Sequence, residues 1–421
     1  MKVKVMPAPL SGSLSAIPSK SQAHRALICA ALADRPTRIE CGGESDDIAA
    51  TAECLSALGA GIQREAWGYM VYPLKKGGKG GQAILRCQES GSTFRFLLPI
   101  VGALGQKAAF IPKGRLPRRP LSPLYEELAG HGGELSPQGA VPFHAAGRLE
   151  PGLYTLDGGV SSQFVSGLLF ALPLLEGDSE LRLTGEAESF PYIELTLAML
   201  EAFGLRVGFD GAVFSIPGGQ TYRSPGLVRV EGDWSNAAFW LSAGALGAGG
   251  ITLTGLDLES RQGDRAILDI LTRFGARVEE NDSAVTVFGG KLKGARLDAR
   301  DIPDLVPVLA VVGAAAQGVT EIQNAGRLRT KESDRLAAVT GVLSGLGAKI
   351  SELEDGLVIH GGAPLAGGEA SSWGDHRIAM TAAIAAVLCA DPVVILGAEA
   401  VSKSYPHFFE DMRLLGGLVQ L

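Results

Sequence analysis

The feature that most constrains this 421-residue chain is a repeat of about seventy residues. Six segments share one pattern, a helical apolar stretch that ends in Gly and runs into a short apolar strand: LSALGAGI, LAGHGGEL, LEAFGLRV, LTRFGARV, LSGLGAKI and MRLLGGLV. Their glycines, Gly59, Gly132, Gly204, Gly275, Gly347 and Gly416, lie 69 to 73 residues apart. Glycine just past a helix adopts the left-handed conformation that turns the chain out of it, so the pattern predicts six helix–strand junctions of one kind. The preceding stretches, such as SDDIAATAECLSALG and SFPYIELTLAMLEAFG, space their apolar residues as one-sided helices do.

A second series keeps step with the first. SKSQAHRALICAALA, SGSTFRFLLPIVGAL, SSQFVSGLLFALPLL, SNAAFWLSAGALGA, PDLVPVLAVVGAAA and GDHRIAMTAAIAAVLCA are apolar on every side. Each opens on a small polar or charged residue: Ser21, Ser92, Ser162, Ser235, Asp304 and Asp375, at intervals of 69 to 73. A helix apolar all round is buried. Each unit therefore supplies one buried helix, one half-exposed helix and several short strands, an α/β organisation. The interval from Gly416 through the C-terminus and round to Gly59 is 64 residues, close to one period, so the N-terminal strand KVKVMPA is expected to complete the last unit. Six units divide as three plus three, with one half at 18–232 and the other at 1–17 plus 233–421. The chain crosses between halves twice, near IPSKS and VEGDWSN, and two hinge strands would permit closure on a ligand.

Composition narrows the function. Apolar residues make up 46% of the chain and charged residues 20%, which suits packed domains rather than disorder. A net charge of −7 gives no overall pull on nucleic acid or an anionic membrane, so neither is an expected partner, and any anion site must be a local gathering of Lys and Arg. Five cysteines, Cys29, Cys41, Cys54, Cys87 and Cys389, lack CxxC spacing and read as free thiols of a reducing compartment. MKVKVMPAPL has no apolar run of signal-peptide length, and no window approaches the ~20 apolar residues of a membrane span. The expected location is cytoplasmic.

The polar markers share one address, the start of a buried helix, where unpaired N–H groups and a partial positive charge attract anions. Cations stand there too: Lys20 and Arg25, Arg95, then His376 and Arg377, with Arg119, Arg329, Lys331, Arg335 and Lys403 at other turns. Such a set in an acidic chain points to ligands with several negative charges, with surface pairing and helix capping as the competing reading. In RLRTKESDR, Lys331 and Arg335 at i, i+4 are expected on one helix face, with Glu332 in the first turn. Asp304, Glu332 and Asp375 are candidate acid–base groups, N-capping being the alternative. There is no GxxxxGK[ST], no GxGxxG opening a helix and no HExxH, and the six histidines lack metal-ligand spacing.

SKSQAHRAL, ESGSTFRFL, GRLPRRPL, DGGVSSQF, SFPY, IPD, RTKESDRL, GDHRIAM and VSKSYPHFF follow one another in this order from Ser19 to Phe409. In this the chain resembles the 5-enolpyruvylshikimate-3-phosphate synthase family. The resemblance implies two inside-out α/β domains, each of three βαβαββ repeats, in a protein that is usually monomeric. It implies transfer of the enolpyruvyl group of phosphoenolpyruvate to shikimate 3-phosphate with loss of phosphate, in aromatic amino acid biosynthesis, and implies no metal or organic cofactor. By position, Ser161, Ser162 and Ser189 would hold the shikimate phosphate, with Lys20, Ser21, Arg25, Gln163, Tyr192, Asp304 and Lys331 around that substrate. Phosphoenolpyruvate would sit among Lys20, Gly91, Ser92, Arg119, Gln163, Arg335, His376, Arg377 and Lys403. Asp304, with Lys20 close by, would take the proton of the 5-hydroxyl, and Glu332 would protonate the methylene carbon.

The chain departs from the common family pattern in three places. Glu89-Ser90-Gly91-Ser92 stands where Asn-Ala-Gly-Thr is usual, Phe96 replaces a Pro, and Arg327 stands where some members carry Asn. These changes imply altered sensitivity to phosphoenolpyruvate mimics such as glyphosate. The sister transferases acting on UDP-N-acetylglucosamine carry a reactive Cys in a loop that here reads IPKGRLPRRPLSPL, without one. A non-catalytic anion-binding protein on the same scaffold would be expected to lack some of Lys20, Asp304 and Glu332, and all three are present.

Overall fold

The computed structural model describes residues 1–75, 81–186, 188–281 and 284–421. Among them are twelve α-helices: α1 (Lys20–Leu32), α2 (Asp46–Leu58), α3 (Gly91–Ala103), α4 (Leu124–Gly130), α5 (Ser162–Ala171), α6 (Phe190–Ala202), α7 (Trp234–Leu246), α8 (Ile267–Phe274), α9 (Val306–Ala315), α10 (Arg335–Gly345), α11 (His376–Ala385) and α12 (Phe408–Leu414). The odd-numbered helices are the ones apolar on every side, and nearly all of their residues are buried. The even-numbered helices keep one face in solvent. Past each of these lies the repeat glycine, with φ between +77° and +114°.

The described strands form six four-stranded sheets of one design: a parallel pair followed by two antiparallel pairings. In one of them Leu227–Arg229 lies parallel to Thr37–Glu40, which pairs antiparallel with Gly68–Tyr72, and that strand with Gly61–Glu65. A strand near residue 228 thus completes the sheet begun near residue 37, as sequential repeats require when the last must cover the first. The same closure occurs elsewhere: Lys2–Met6 runs between Val393–Leu396 and Leu418–Gln420, antiparallel to both. Alternation along strands such as Ser179–Thr184, buried at every second residue, turns one sheet face to the core.

The chain divides into two compact units, Met1–Ile17 with Glu231–Leu421, and Pro18–Val230. Each has its own hydrophobic core, into which three all-apolar helices are sunk beneath three sheets. Close approach of these helices needs small residues. An added Cβ at Gly167 on α5 would stand 2.4 Å from the Arg95 carbonyl oxygen of α3, so α3 and α5 meet backbone to backbone at that point.

Candidate active site

In Pro18–Val230 the starts of α1, α2, α3, α5 and α6 are tied together by polar contacts. Ser19, Ser90 and Ser161 cap α1, α3 and α5, accepting from the N–H groups of Gln22, Thr93 and Gln163. A buried chain of short hydrogen bonds crosses three helices: His24 Nδ1 to Thr51 Oγ1 at 2.7 Å, Thr51 to Thr93 Oγ1 at 2.6 Å, and Thr93 to Ser90 Oγ at 2.7 Å. Lys20, on the first turn of α1, donates to Asp47 Oδ2 on α2 at 2.9 Å, with the lysine side chain 17% exposed. Arg25 is buried and held from three sides: Nε donates to Thr196 Oγ1, Nη1 to the Ser21 carbonyl and Nη2 to the Tyr192 carbonyl. Burial lowers its pKa to about 10, which leaves it charged at neutral pH.

The predicted Gly91–Ser92, Gln163 and Arg119 also come together. Arg95 Nη1 donates to Gln163 Oε1 at 2.8 Å, and Gln163 Nε2 donates to Ser92 Oγ at 3.0 Å. Arg119 lies against Gly91, where an added Cβ would sit 3.0 Å from Nη1. Ser189, ahead of α6, is buried in the left-handed region (φ 54°), and its side chain makes no capping bond. A non-glycine residue there is strained by about 1–3 kcal/mol, a cost often found at ligand-binding turns. The departures from the family pattern have physical consequences here. The Glu89 carboxylate occupies the space beside the Gly114 Cα, where a side chain would collide with it. Phe96 is core rather than pocket, with its ring 5.2 Å below the Arg25 guanidinium.

The second cluster belongs to the unit containing Glu231–Leu421, and its centre is Arg335, only 2% exposed. Nε donates to Asp375 Oδ2 at 2.8 Å, Nη1 to Asp304 Oδ1 at 2.8 Å, and Nη2 to Glu332 Oε2 at 2.9 Å and Asp375 Oδ1 at 3.3 Å. Four of the five donors of its guanidinium are thereby occupied. Arg377, on α11, donates Nη2 to the other Asp304 oxygen, Oδ2, at 2.8 Å. Burial raises the Asp304 pKa, but Arg377, Arg335 and Lys331 outweigh it and hold the carboxyl well below the usual range. Lys331 is pulled down to about 7, first by burial and then by Arg327 and Arg335, with Asp304 opposing. His376 lies buried beside Asp375, its Nδ1 3.5 Å from Oδ1, and Lys403 is buried at the end of a short 3-10 helix, Ala398–Lys403.

The structure corrects one expectation and removes one alternative. Lys331 and Arg335 do not share a helix face. Asp334 accepts from the Ala337 N–H and so starts α10 at Arg335, leaving Lys331 and Glu332 in the irregular segment before it. Asp304 does not cap α9, because both its oxygens are taken by arginines, whereas Asp375 caps α11 and binds Arg335 at once. Reading of the sequence missed Asp47, Thr196 and Asp264. The acidic first turn of α2 was the one available signal for Asp47; the other two pair across long separations that no local pattern marks. Among the described residues, no three His, Cys, Asp or Glu side chains are placed to hold a metal ion.

The family model described as EPSP synthase (3-phosphoshikimate 1-carboxyvinyltransferase) matches residues 5–412. The chain belongs to the EPSP synthase family. The 3-phosphoshikimate 1-carboxyvinyltransferase of Clostridium kluyveri is 45% identical over 99% of this chain and 97% of its own. That of Clostridium acetobutylicum is 44% identical, with the same coverage. Among solved structures, EPSP synthase from Acinetobacter baumannii superposes with a TM-score of 0.84 at 26% identity, covering both chains fully. The enolpyruvyl transferase NikO from Streptomyces tendae has a TM-score of 0.79 at 19% identity, over 100% of this chain and 98% of that one, a likeness of fold alone. Membership of the EPSP synthase family accounts for the inside-out arrangement of both units.

Proposed function

We infer that this chain transfers the enolpyruvyl group of phosphoenolpyruvate to the 5-hydroxyl of shikimate 3-phosphate and releases phosphate, a step of aromatic amino acid biosynthesis. The observation that carries the reading is Asp304 gripped by two buried arginines beside Glu332. In this reading the unit Pro18–Val230 holds shikimate 3-phosphate. Ser161, Ser162 and Ser189 bind its phosphate, and Lys20, Ser21, Arg25, Gln163 and Tyr192 surround the rest. Arg25 also stiffens that pocket from below through Ser21 and Tyr192. Lys20, Gly91, Ser92, Arg119, Gln163, Arg335, His376, Arg377 and Lys403 are the residues proposed to contact phosphoenolpyruvate. Lys331 lies beside Asp304 at the acceptor hydroxyl.

The chemistry then follows from charge. Two substrates with about six negative charges between them repel without a cationic site. Asp304 is a weak base while Arg335 and Arg377 hold it ionised; an anion that shares those arginines raises its basicity. Asp304 then takes the 5-hydroxyl proton as the oxygen bonds to C2 of phosphoenolpyruvate, and Glu332 delivers a proton to C3. The tetrahedral adduct then gives up one proton of the methyl group so formed to the Glu332 carboxylate and expels phosphate, restoring the double bond. Lys20, held by Asp47, assists the proton transfers. The chain is further proposed to be a cytoplasmic monomer acting on small molecules rather than on nucleic acid or membranes. Its five buried free thiols support the reducing compartment, and its net charge of −7 the absence of nucleic acid and membrane partners.

The deciding assay is phosphate release from phosphoenolpyruvate, with shikimate 3-phosphate or UDP-N-acetylglucosamine as acceptor. Release with shikimate 3-phosphate alone, lost in Lys20→Met, is the expected result; release only with the nucleotide sugar would overturn the acceptor. Gly91→Ala tests the phosphoenolpyruvate side. Its methyl would crowd Arg119 Nη1 at 3.0 Å, with Gln163 Oε1 in ordinary contact at 3.5 Å. We expect the KM for phosphoenolpyruvate to rise roughly five- to tenfold, about 1–1.4 kcal/mol, with that for shikimate 3-phosphate nearly unchanged and no loss of Tm. An unchanged KM for phosphoenolpyruvate would remove Arg119 from its binding site.

A further inference from the structure

One buried ionisable group beside the catalytic cluster has no part in the chemistry above. Asp264 lies in a single-turn 3-10 helix, Gly263–Ala266, ahead of α8, and is 1% exposed. Its Oδ2 accepts a short hydrogen bond from Ser235 Oγ in the first turn of α7. The Ser235 carbonyl in turn accepts from Arg377 Nη1 at 3.5 Å, and the same nitrogen donates to the Asp304 carbonyl at 3.3 Å. Gln262 locks the two segments together, accepting from the Trp234 N–H at 3.1 Å and donating to the Gly232 carbonyl at 2.8 Å. Hydrogen bonds therefore link Asp264 through Ser235 to Arg377, the arginine assigned to phosphoenolpyruvate, and on to Asp304.

The charged groups facing Asp264 are Asp304 and Arg377 together with Asp233, the cap of α7; around Asp304 stand Arg335, Lys331 and Glu332. We propose that Asp264 is a positioning residue whose proton decides how firmly Arg377 holds its anion. With the proton in place the carboxyl is neutral and adds no negative charge beside Arg377, which is paired with Asp304. Without it, a second negative charge competes for the guanidinium, and the incoming anion is held less well. Burial first, and Asp304 second, push this carboxyl up to about 7, so the change falls in the range where enzymes work. The proposal rests on Arg377 binding phosphoenolpyruvate, as set out above.

The test is the KM for phosphoenolpyruvate from pH 6 to 8.5 in the wild type and in Asp264→Asn, which mimics the neutral form. Their ratio at each pH cancels the ligand's own titration. We expect wild type and variant to agree near pH 6, and the wild-type KM to exceed the variant's by roughly three- to tenfold at pH 8.5, the size of one charge acting through a partly buried medium. Thermal melts give an independent reading. A carboxyl raised from the usual ~3.9 to about 7 binds more protons folded than unfolded between those values, so it costs the wild type stability as pH rises through that window. Asp264→Asn should accordingly gain Tm on the wild type between pH 5 and 8. Should it fail to fold, Ser235→Ala removes the bond that favours the ionised form and should move the rise in KM to higher pH. A ratio constant with pH in a folded variant would reduce Asp264 to a structural role and overturn the proposal. Arg377→Gln separates the two levels of failure: if it leaves the KM unchanged, the reading of the anion site falls and the proposal with it; if it raises the KM while the ratio stays flat, the proposal alone falls.

Discussion

Asp304→Asn and Glu332→Gln are each expected to lower kcat by about 10²–10⁴, the usual contribution of a positioned acid or base, while leaving the fold intact. The two variants should differ in binding. Asp304 neutralises part of the charge on both Arg335 and Arg377, so its amide frees those guanidiniums for an incoming anion. The KM for phosphoenolpyruvate should therefore not rise in Asp304→Asn, and a fall is expected. Of the two arginines held by Asp304, Glu332 is paired with Arg335, so Glu332→Gln should move the KM less. Single-turnover kinetics would place the loss in the chemical step. A kcat within a few-fold of wild type for either variant would remove that residue from the reaction.

Arg335→Met should be the most destabilising single change in the cluster. The guanidinium balances Asp304, Glu332 and Asp375, and Asp375 is wholly buried. Removing one partner of a buried ion pair costs about 3–5 kcal/mol, because the remaining charge has lost its compensation. The pH dependence of this loss has a definite sign. Asp304 and Asp375 are both held below the ordinary carboxylate range in the wild type, so they contribute stability that is present near neutrality and lost as pH falls through their folded values. Without Arg335 their pKa values rise, and protonation relieves the variant sooner. The gap between the two proteins should thus be widest near pH 7 and shrink toward pH 4. Denaturant midpoints across that range would measure it, with Arg335→Lys intermediate because it keeps the charge and loses the fork. Equal midpoints for Arg335→Met and wild type at pH 7 would mean that the three carboxylates are balanced by other groups.

The fold was legible because its signals are local and repeated. Each repeat glycine announces a left-handed turn and each all-apolar stretch a buried helix, and the six copies reinforce one another. Even the place of the N-terminal strand followed from a period left incomplete at the C-terminus, and Lys2–Met6 does sit within the last sheet. The helix starts were legible to within a turn. Ser19 rather than Ser21 caps α1, and Asp233 rather than Ser235 caps α7, because the residue that bends the chain and offers an oxygen to the N–H two or three positions on wins the cap.

The site was legible as residue types at helix starts and opaque as a network. Arg335 in the sequence is a cation four residues after a lysine. In the folded unit it is a buried hub whose carboxylates come from positions 31, 3 and 40 residues away. Lys331, taken for a neighbour on the same helix face, lies before the helix because Asp334 caps it. Asp47 and Asp264 look like any acidic residue near a helix start until Lys20 and Ser235 are brought against them. By itself the sequence determined the repeat, the two kinds of helix and the charge types gathered at the helix starts, since periodicity, glycine conformation and charge type act over a few residues. Only the tertiary structure decided which carboxylate each arginine holds and which acids are buried, because hydrogen bonds and desolvation depend on distances set by packing rather than by spacing along the chain.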